Sequence, residues 1–215
     1  MTYLELINGV LRRLREPTVA TVTETAYSTM IGDFVNDAKV LVENAWDWSA
    51  LRSTISISTV ASTKNYALTG TGWAGKELNV INDTSNYIME YRTNDWFDEK
   101  YYIDTPASGT PRYYTYAEVN GSGDQTIDVY PLPDAVYVIR FDTVVRNADL
   151  SDGADTLAIP SPPVLHLAVA LAARERGETG GTSTSEYFTI ANQYLADAIS
   201  IDAARHPEDL IFYTP

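Results

Sequence analysis

The chain has 215 residues, 45% of them hydrophobic and 20% charged, so it is long enough to bury a core and its composition excludes an extended disordered protein. It contains no cysteine, which excludes disulfides, thiolate metal sites and cysteine nucleophiles. Its net charge of −14 argues against a protein that binds nucleic acid tightly, because such binding depends on lysine and arginine side chains that neutralise phosphates.

Two helices are predicted in the first 51 residues. Apolar residues recur at three- and four-residue spacing from Leu4 to Leu14, and Pro17 ends that pattern. A longer helix is predicted from about Thr25 to Leu51, ~40 Å at 1.5 Å per residue, a length that suits a helix spanning a bundle. Its predicted apolar stripe consists of Ile31, Phe34, Val35, Ala38, Leu41, Val42, Ala45 and Trp46.

The spacing of apolar residues changes from 3.6 to 2 after Arg52, which predicts strands. Alternation is clear in Thr54–Ser58, Thr126–Tyr130 and Val136–Val144. Turns rich in glycine, asparagine and proline separate these segments, so we expect six to eight short strands. One short helical turn is predicted around Asn94–Lys100.

Helical spacing returns after Pro163. Residues 164–178 are apolar almost all round, which predicts a central buried helix whose four alanines let neighbours approach closely. A last helix is predicted from about Thr184 towards His206. Its apolar face consists of Tyr187, Ile190, Ala191, Tyr194, Leu195, Ala198 and Ile199.

These elements predict an α+β fold in which helices at both chain ends form a bundle and an antiparallel β-rich module is inserted between them. The expected boundaries are 1–51 and 151–207 for the bundle, 52–150 for the module, and 208–215 for a C-terminal tail. The predicted core of the bundle consists of Phe34, Leu41, Trp46, Leu165, Val169, Ala172 and Ile190.

No catalytic, cofactor or metal site is expected, and the protein is interpreted as a non-enzyme. Of the two histidines, His166 stands within an apolar helix, where a buried neutral imidazole is the favoured interpretation. His206 precedes a proline at a helix end, where a cation suits the helix dipole. The sequence has no nucleophile elbow, phosphate-binding loop, dinucleotide fingerprint or zinc-protease motif.

An alternative interpretation is that the chain is a carbohydrate-active or carbohydrate-binding virion protein. Carboxylates cluster beside aromatic side chains around Trp96, as they do in sugar-binding clefts with paired acids. The residues concerned are Asp95, Asp98, Glu99 and Asp104 beside Trp96, Tyr101 and Tyr102. Because acids and aromatics are common in β proteins, a purely structural role is the favoured interpretation.

From Pro111 onward the order of motifs resembles a known family. PRYYTY leads to a glycine turn, then to QTIDVYPLPDAVYVIRFDTVVRNADLSDGADTLAIP and to the alanine-rich helix PPVLHLAVALAARERGE. The start, with LRRLREPTV and a long helix that ends near Trp48, agrees with this pattern. The chain resembles the head–tail adaptor proteins of tailed phages, specifically the podovirus type called tail tubular protein A.

This resemblance implies a virion structural protein at the head–tail junction. Its relatives form a cyclic homo-oligomer, usually of twelve copies, below the portal protein. The ring continues the DNA channel and receives the tail nozzle protein, so genomic DNA would pass through without specific binding. We expect no membrane partner, because no apolar run reaches the roughly 20 residues of a membrane span. With no signal peptide apparent, assembly is expected in the host cytoplasm.

The C-terminal tail carries four consecutive apolar or aromatic residues: Leu210, Ile211, Phe212 and Tyr213. Left in water, such a run would form the kind of exposed patch that marks a contact site. By the resemblance, related adaptors reach the portal with a C-terminal extension, which predicts portal docking by these four residues. The alternative, also open, is that the tail folds back and covers the helices.

Overall fold

The computed structural model of the protein describes residues 1–72, 74–176 and 182–205, with only the backbone of residues 182–184. The described helices are α1 (Tyr3–Arg13), α2 (Ala26–Ala45), α3 (Asn94–Asp98), α4 (Ser161–Glu175) and α5 (Thr182–Ala203). The described strands are β1 (Arg52–Ser58), β2 (Asn65–Ala67), β3 (Lys76–Asn82), β4 (Tyr87–Ile88), β5 (Glu90–Tyr91), β6 (Tyr113–Val119), β7 (Gln125–Tyr130) and β8 (Val138–Val144). The predicted α+β class is confirmed.

The chain separates into two compact units. Unit 1 is formed by Met1–Ala50 together with Ala148–Pro215, and unit 2 by Leu51–Asn147. Within the part of the chain that the structure describes, the long helices belong to unit 1, whereas the strands and the short α3 belong to unit 2.

Side-chain caps fix where the first two helices begin. Thr2 and Glu5 form a reciprocal capping box at the start of α1, and Thr25 and Ser28 form one at the start of α2. Each box satisfies backbone N–H groups that have no partner within the helix. The other end of α2 differs from the prediction of a helix to Leu51, because the backbone turns to an extended conformation at Trp46.

The helices of unit 1 pack closely on α4, which contacts α1, α2 and α5. Close approach depends on small residues: the space beside Gly9 is filled by Leu165 of α4, and a Cβ on Gly32 would overlap the hydroxyl of Tyr3. Leu165 is buried, as predicted, and so are Val169 and Ala172.

Four other members of the predicted core are not buried. Leu41, Trp46 and Ile190 are exposed and Phe34 is half-buried, so their assignment to the core was wrong. The buried face of α2 is rotated from the predicted stripe and includes an ion pair that periodicity alone did not suggest. Lys39 Nζ lies 3.2 Å from Glu43 Oε2, with both side chains buried.

The two tryptophans at the end of α2 have opposite surroundings. Once the backbone becomes extended at Trp46, this side chain leaves the helical stripe and becomes exposed. Trp48 is instead buried, and its Nε1–H donates to the carbonyl oxygen of Val42 at 2.7 Å. This bond satisfies one of the carbonyls that the end of a helix leaves without a partner.

Unit 2 consists of two four-stranded sheets, in the orders β1-β8-β3-β4 and β2-β7-β6-β5. The paired strands are antiparallel except β5 and β6, which are parallel. Side chains from both sheets meet in one core: Leu68, Val80, Met89, Tyr114, Ile127, Val129, Ile139 and Phe141. The helical turn predicted at Asn94–Lys100 corresponds to α3, followed by a π-helical turn at Glu99–Ile103.

Candidate interaction surfaces

The four residues predicted to dock on a portal, Leu210–Tyr213, lie outside the described residues, as does His206. The described chain ends at Arg205, two residues after α5. The surface around Arg205 is therefore the part of unit 1 from which the predicted docking segment departs.

A groove of about 450 Å³ lies at this place, between the first turn of α4 and the last turns of α5. Its walls are mostly apolar, and two of the apolar side chains are open to solvent: Ile201 is 63% exposed and Tyr194 is 41% exposed. The lining residues are Pro160, Pro162, Pro163, Tyr194, Asp197, Ala198, Ile201, Asp202 and Arg205. We call this recess the α4/α5 groove. Exposed apolar side chains around a recess are typical of a contact site.

The floor of the groove contains a buried carboxylate that ties α5 to the segment after α2. Asp202 is 5% exposed and accepts three hydrogen bonds: from Ser49 Oγ at 2.5 Å, from Ser49 N at 2.9 Å and from Trp46 Nε1 at 3.2 Å. Burial alone would raise the pKa of Asp202, but the hydrogen bonds from Ser49 and Trp46 outweigh it and lower the pKa. The group is therefore held as a carboxylate and anchors the end of α5.

Two residues at or near the end of α2 also expose apolar surface. Trp46 is adjacent to the groove through its bond to Asp202, and its side chain is 37% exposed. Leu41, one turn before the end of α2, is 54% exposed. The assignment of these two residues to the core was wrong, and their exposed side chains are accessible to another protein.

His166 faces α5 from the middle of α4, where its ring stacks on Tyr194 with centroids 4.3 Å apart and planes 11° from parallel. The imidazole is half-buried, less than the sequence suggested. Burial lowers its pKa, and the charge of Arg13 acts in the same direction. The neutral form is thus favoured, as the sequence interpretation expected.

A second cleft, of about 410 Å³, lies at the opposite end of α4. Arg176, which follows α4, reaches across it to the carboxylate of Glu16, the hydroxyl of Tyr27 and the carbonyl oxygen of Leu14. The helix α4 therefore has a recess at each end, the first apolar and open, the second bridged by an arginine.

The acidic and aromatic cluster in unit 2 is organised by packing. Trp96 contacts the rings of Phe97, Tyr113 and Tyr130. Of the four carboxylates, two pair with one cation: Lys100 Nζ lies 2.5 Å from Asp104 and 3.4 Å from Glu99. All four carboxylates are exposed. The arrangement observed is a surface ion-pair group beside an aromatic cluster, which favours the structural interpretation of these residues.

The tyrosines of unit 2 are largely structural. Tyr114 lies in the core of unit 2, where burial raises its pKa to about 12. Burial also raises the pKa of Tyr101, whose hydroxyl donates to the Val129 carbonyl oxygen at 2.5 Å. Tyr102, by contrast, is 73% exposed.

Within residues 1–72, 74–176 and 182–205, no group of three or more metal-ligating side chains is placed to hold a metal ion. Nor does any helix in these ranges have the length and apolar character needed to cross a membrane.

Sequence reasoning missed the α4/α5 groove and the Asp202 network. The groove requires the start of one helix to lie beside the end of another, which spacing within a helix does not reveal. Asp202 did leave a signal, because it stands four residues after Ala198 and continues the apolar face of α5. An acid at such a position indicates a buried, hydrogen-bonded carboxylate.

Known proteins were compared in two ways, by individual curated sequence and by family model. No curated protein matches the chain. The family model described as "SU10 adaptor protein" matches residues 1–209, which covers both units and nearly the whole chain. The family is one of phage adaptor proteins, and membership indicates a structural virion component that associates with other virion proteins. The chain therefore belongs to the SU10 adaptor protein family.

Proposed function

We propose that this protein is the head–tail adaptor of a phage, forming a ring between the portal protein and the tail nozzle protein. Twelve copies would surround the channel through which DNA leaves the head. The observation that carries the proposal is the family match over residues 1–209. It is supported by the earlier resemblance to tail tubular protein A-type adaptors of podoviruses.

The surface of unit 1 suits repeated contacts in a ring. Apolar or aromatic side chains are exposed at or near the end of α2 and on α5: Leu41, Trp46, Tyr194 and Ile201. In a cyclic ring each subunit uses two different surfaces, one towards each neighbour. The recesses at opposite ends of α4 offer two such surfaces on one unit.

The charge of the chain suits a channel that DNA slides through. With 29 acidic and 15 basic residues, a subunit repels phosphates on balance. An inner wall with net negative charge would guide DNA without binding it. The ring would be assembled in the host cytoplasm and remain in the virion.

The portal-facing contact is proposed to be the C-terminal tail, through Leu210, Ile211, Phe212 and Tyr213. Burying each such side chain contributes about 1.5–3 kcal/mol before ordering costs. Repeated around a ring, even the smaller value gives a strong attachment.

The test uses the purified protein and its portal. Electron micrographs and native mass spectrometry of the protein with portal particles should show a ring of twelve copies attached to the portal. A variant lacking residues 208–215 should still form oligomers but should not attach to the portal. If the truncated protein binds portal particles as the full chain does, the docking surface lies elsewhere; a chain that stays monomeric with portal present contradicts the ring.

A further inference from the structure

The α4/α5 groove is an apolar recess whose occupant can be inferred from where the described chain stops. Its lining includes Ile201 and Tyr194, both exposed, together with Ala198 and two prolines of α4. Arg205, the last residue of the described C-terminal segment, lines the end of the same groove. Ten residues of the sequence follow it directly.

We propose that the C-terminal tail of the free chain folds back into its own α4/α5 groove. The proposal concerns the isolated protein and stands without the ring or the portal. It commits to residues 209–215 as the occupant, running in the opposite direction to α5.

The length of the tail fits this path. From Arg205 back to Tyr194 is eleven residues of helical rise, about 16 Å at 1.5 Å per residue. Residues 206–208, with Pro207 unable to continue a regular helix, supply the reversal. The seven residues that follow span about 23 Å when extended, enough to cover the groove from one end to the other.

The chemistry of the tail also matches the groove from end to end. Glu208 and Asp209 would begin beside Arg205, the cation at the mouth of the groove. From Leu210 onward the tail carries no charged side chain and presents four large apolar or aromatic residues. In this register Leu210 lies over Ile201 and Phe212 lies near Asp197 and Ala198. Burial would remove both the exposed groove and the exposed tail from water.

One consequence rests on the function proposed above. If the same tail docks on the portal, it must leave the groove first, so the groove and the portal compete for it. The groove would then keep an adhesive segment covered until the portal is present.

Since the protein has no cysteine, a pair of introduced cysteines can report the position of the tail without background. The test variant carries Phe212→Cys with Asp197→Cys, an exposed residue of the groove wall. The matched control carries Phe212→Cys with Glu186→Cys, also exposed and on the same helix. Residue 186 is about 28 Å from Arg205 along α5, whereas residues 205–212 span roughly 24 Å and the Cα atoms of a disulfide lie about 5–6 Å apart, so only a fully extended tail reaches this cysteine.

The rate of intramolecular disulfide formation is measured during mild oxidation of the dilute full-length protein, with non-reducing gels and peptide masses as readouts. The 197–212 pair should form an intramolecular disulfide about tenfold faster than the 186–212 pair, because the groove raises the local concentration of the tail. Adding Ile201→Glu, a change at an exposed position, should slow the 197–212 reaction without unfolding the protein.

Three outcomes would overturn the proposal. Equal rates for the two pairs would mean that the tail does not settle in the groove. An unchanged 197–212 rate with Ile201→Glu would show that tethering alone brings the residues together. Disulfide-linked dimers in place of the intramolecular product would assign the groove to the tail of a second copy. None of these outcomes depends on the portal, so the ring proposal is tested separately.

Discussion

The carboxylate of Asp202 offers the sharpest test of how unit 1 is held together. The change Asp202→Asn keeps the size of the side chain but removes its charge and places an N–H donor opposite Ser49 or Trp46. Three hydrogen bonds converge on this carboxylate, and each bond to a charged group contributes about 1.5–3 kcal/mol. Asparagine can keep part of this network, so we expect a loss of about 2–3 kcal/mol in the free energy of unfolding.

For a chain of this length such a loss corresponds to a Tm lowered by ~4–12 °C. Urea unfolding followed by tryptophan fluorescence and circular dichroism measures it. The matched control is Asp197→Asn, an exposed acid of the same helix, which should change the stability by less than about 0.5 kcal/mol. If both variants unfold at the same urea concentration, the network does not stabilise the end of α5.

The pH dependence gives a second readout of the same residue. The pKa of Asp202 is lowered in the folded protein, so its contribution is complete above the pKa of the unfolded chain, near 3.8. It is lost as the pH falls through the folded-state pKa. The gap between wild type and Asp202→Asn should therefore be constant from pH 7 to pH 5 and close below pH 4. A gap that stays constant at pH 3 would refute an electrostatic origin.

Changing Leu165 to Asp would bury an unpaired charge on α4 and should cost about 4 kcal/mol or more, so a variant with the wild-type Tm would contradict the role of this helix as the core. The pKa of His166 is lowered, so wild type should lose stability as the pH falls below about 6.5, and His166→Phe should lose less between pH 7 and pH 5; equal losses would exclude His166 as the cause. The protein should show no retention on duplex DNA at moderate salt, and tight, salt-sensitive binding would point instead to the exposed Arg12, Arg13 and Arg15.

The sequence predicted the types of element better than their orientation. The change of period from 3.6 to 2 and back placed α1, α2, β1, β8, α4 and α5, because spacing reports backbone geometry directly. Spacing says less about which part of a broad apolar stripe meets the core. On α2 the stripe was correct at Val35, Ala38 and Val42 but wrong at Leu41, which is exposed.

The tryptophans show why the site was harder to predict. A helix continued to Leu51 would have placed Trp46 inward, but the extended backbone at that residue turns it towards solvent. The stacking of His166 on Tyr194 and the hydrogen bonds that Ser49 donates to Asp202 join residues far apart in the sequence. Such contacts depend on how helices pack, and a single sequence carries little direct information on them.

The way in which unit 2 is joined to the rest of the chain has a consequence for exchange between phages. Arg52 at its beginning is paired with Val144 near its end, and Val145 N donates to the Leu51 carbonyl oxygen at 3.0 Å. The insertion is thus closed at its base by one antiparallel stem, whose opposite Cα atoms are about 5 Å apart. Because the two ends of the insertion are neighbours, another insertion of different sequence and size can replace it without distorting the unit into which it is inserted. Recombination can therefore replace the β unit of an adaptor while the helices are inherited unchanged.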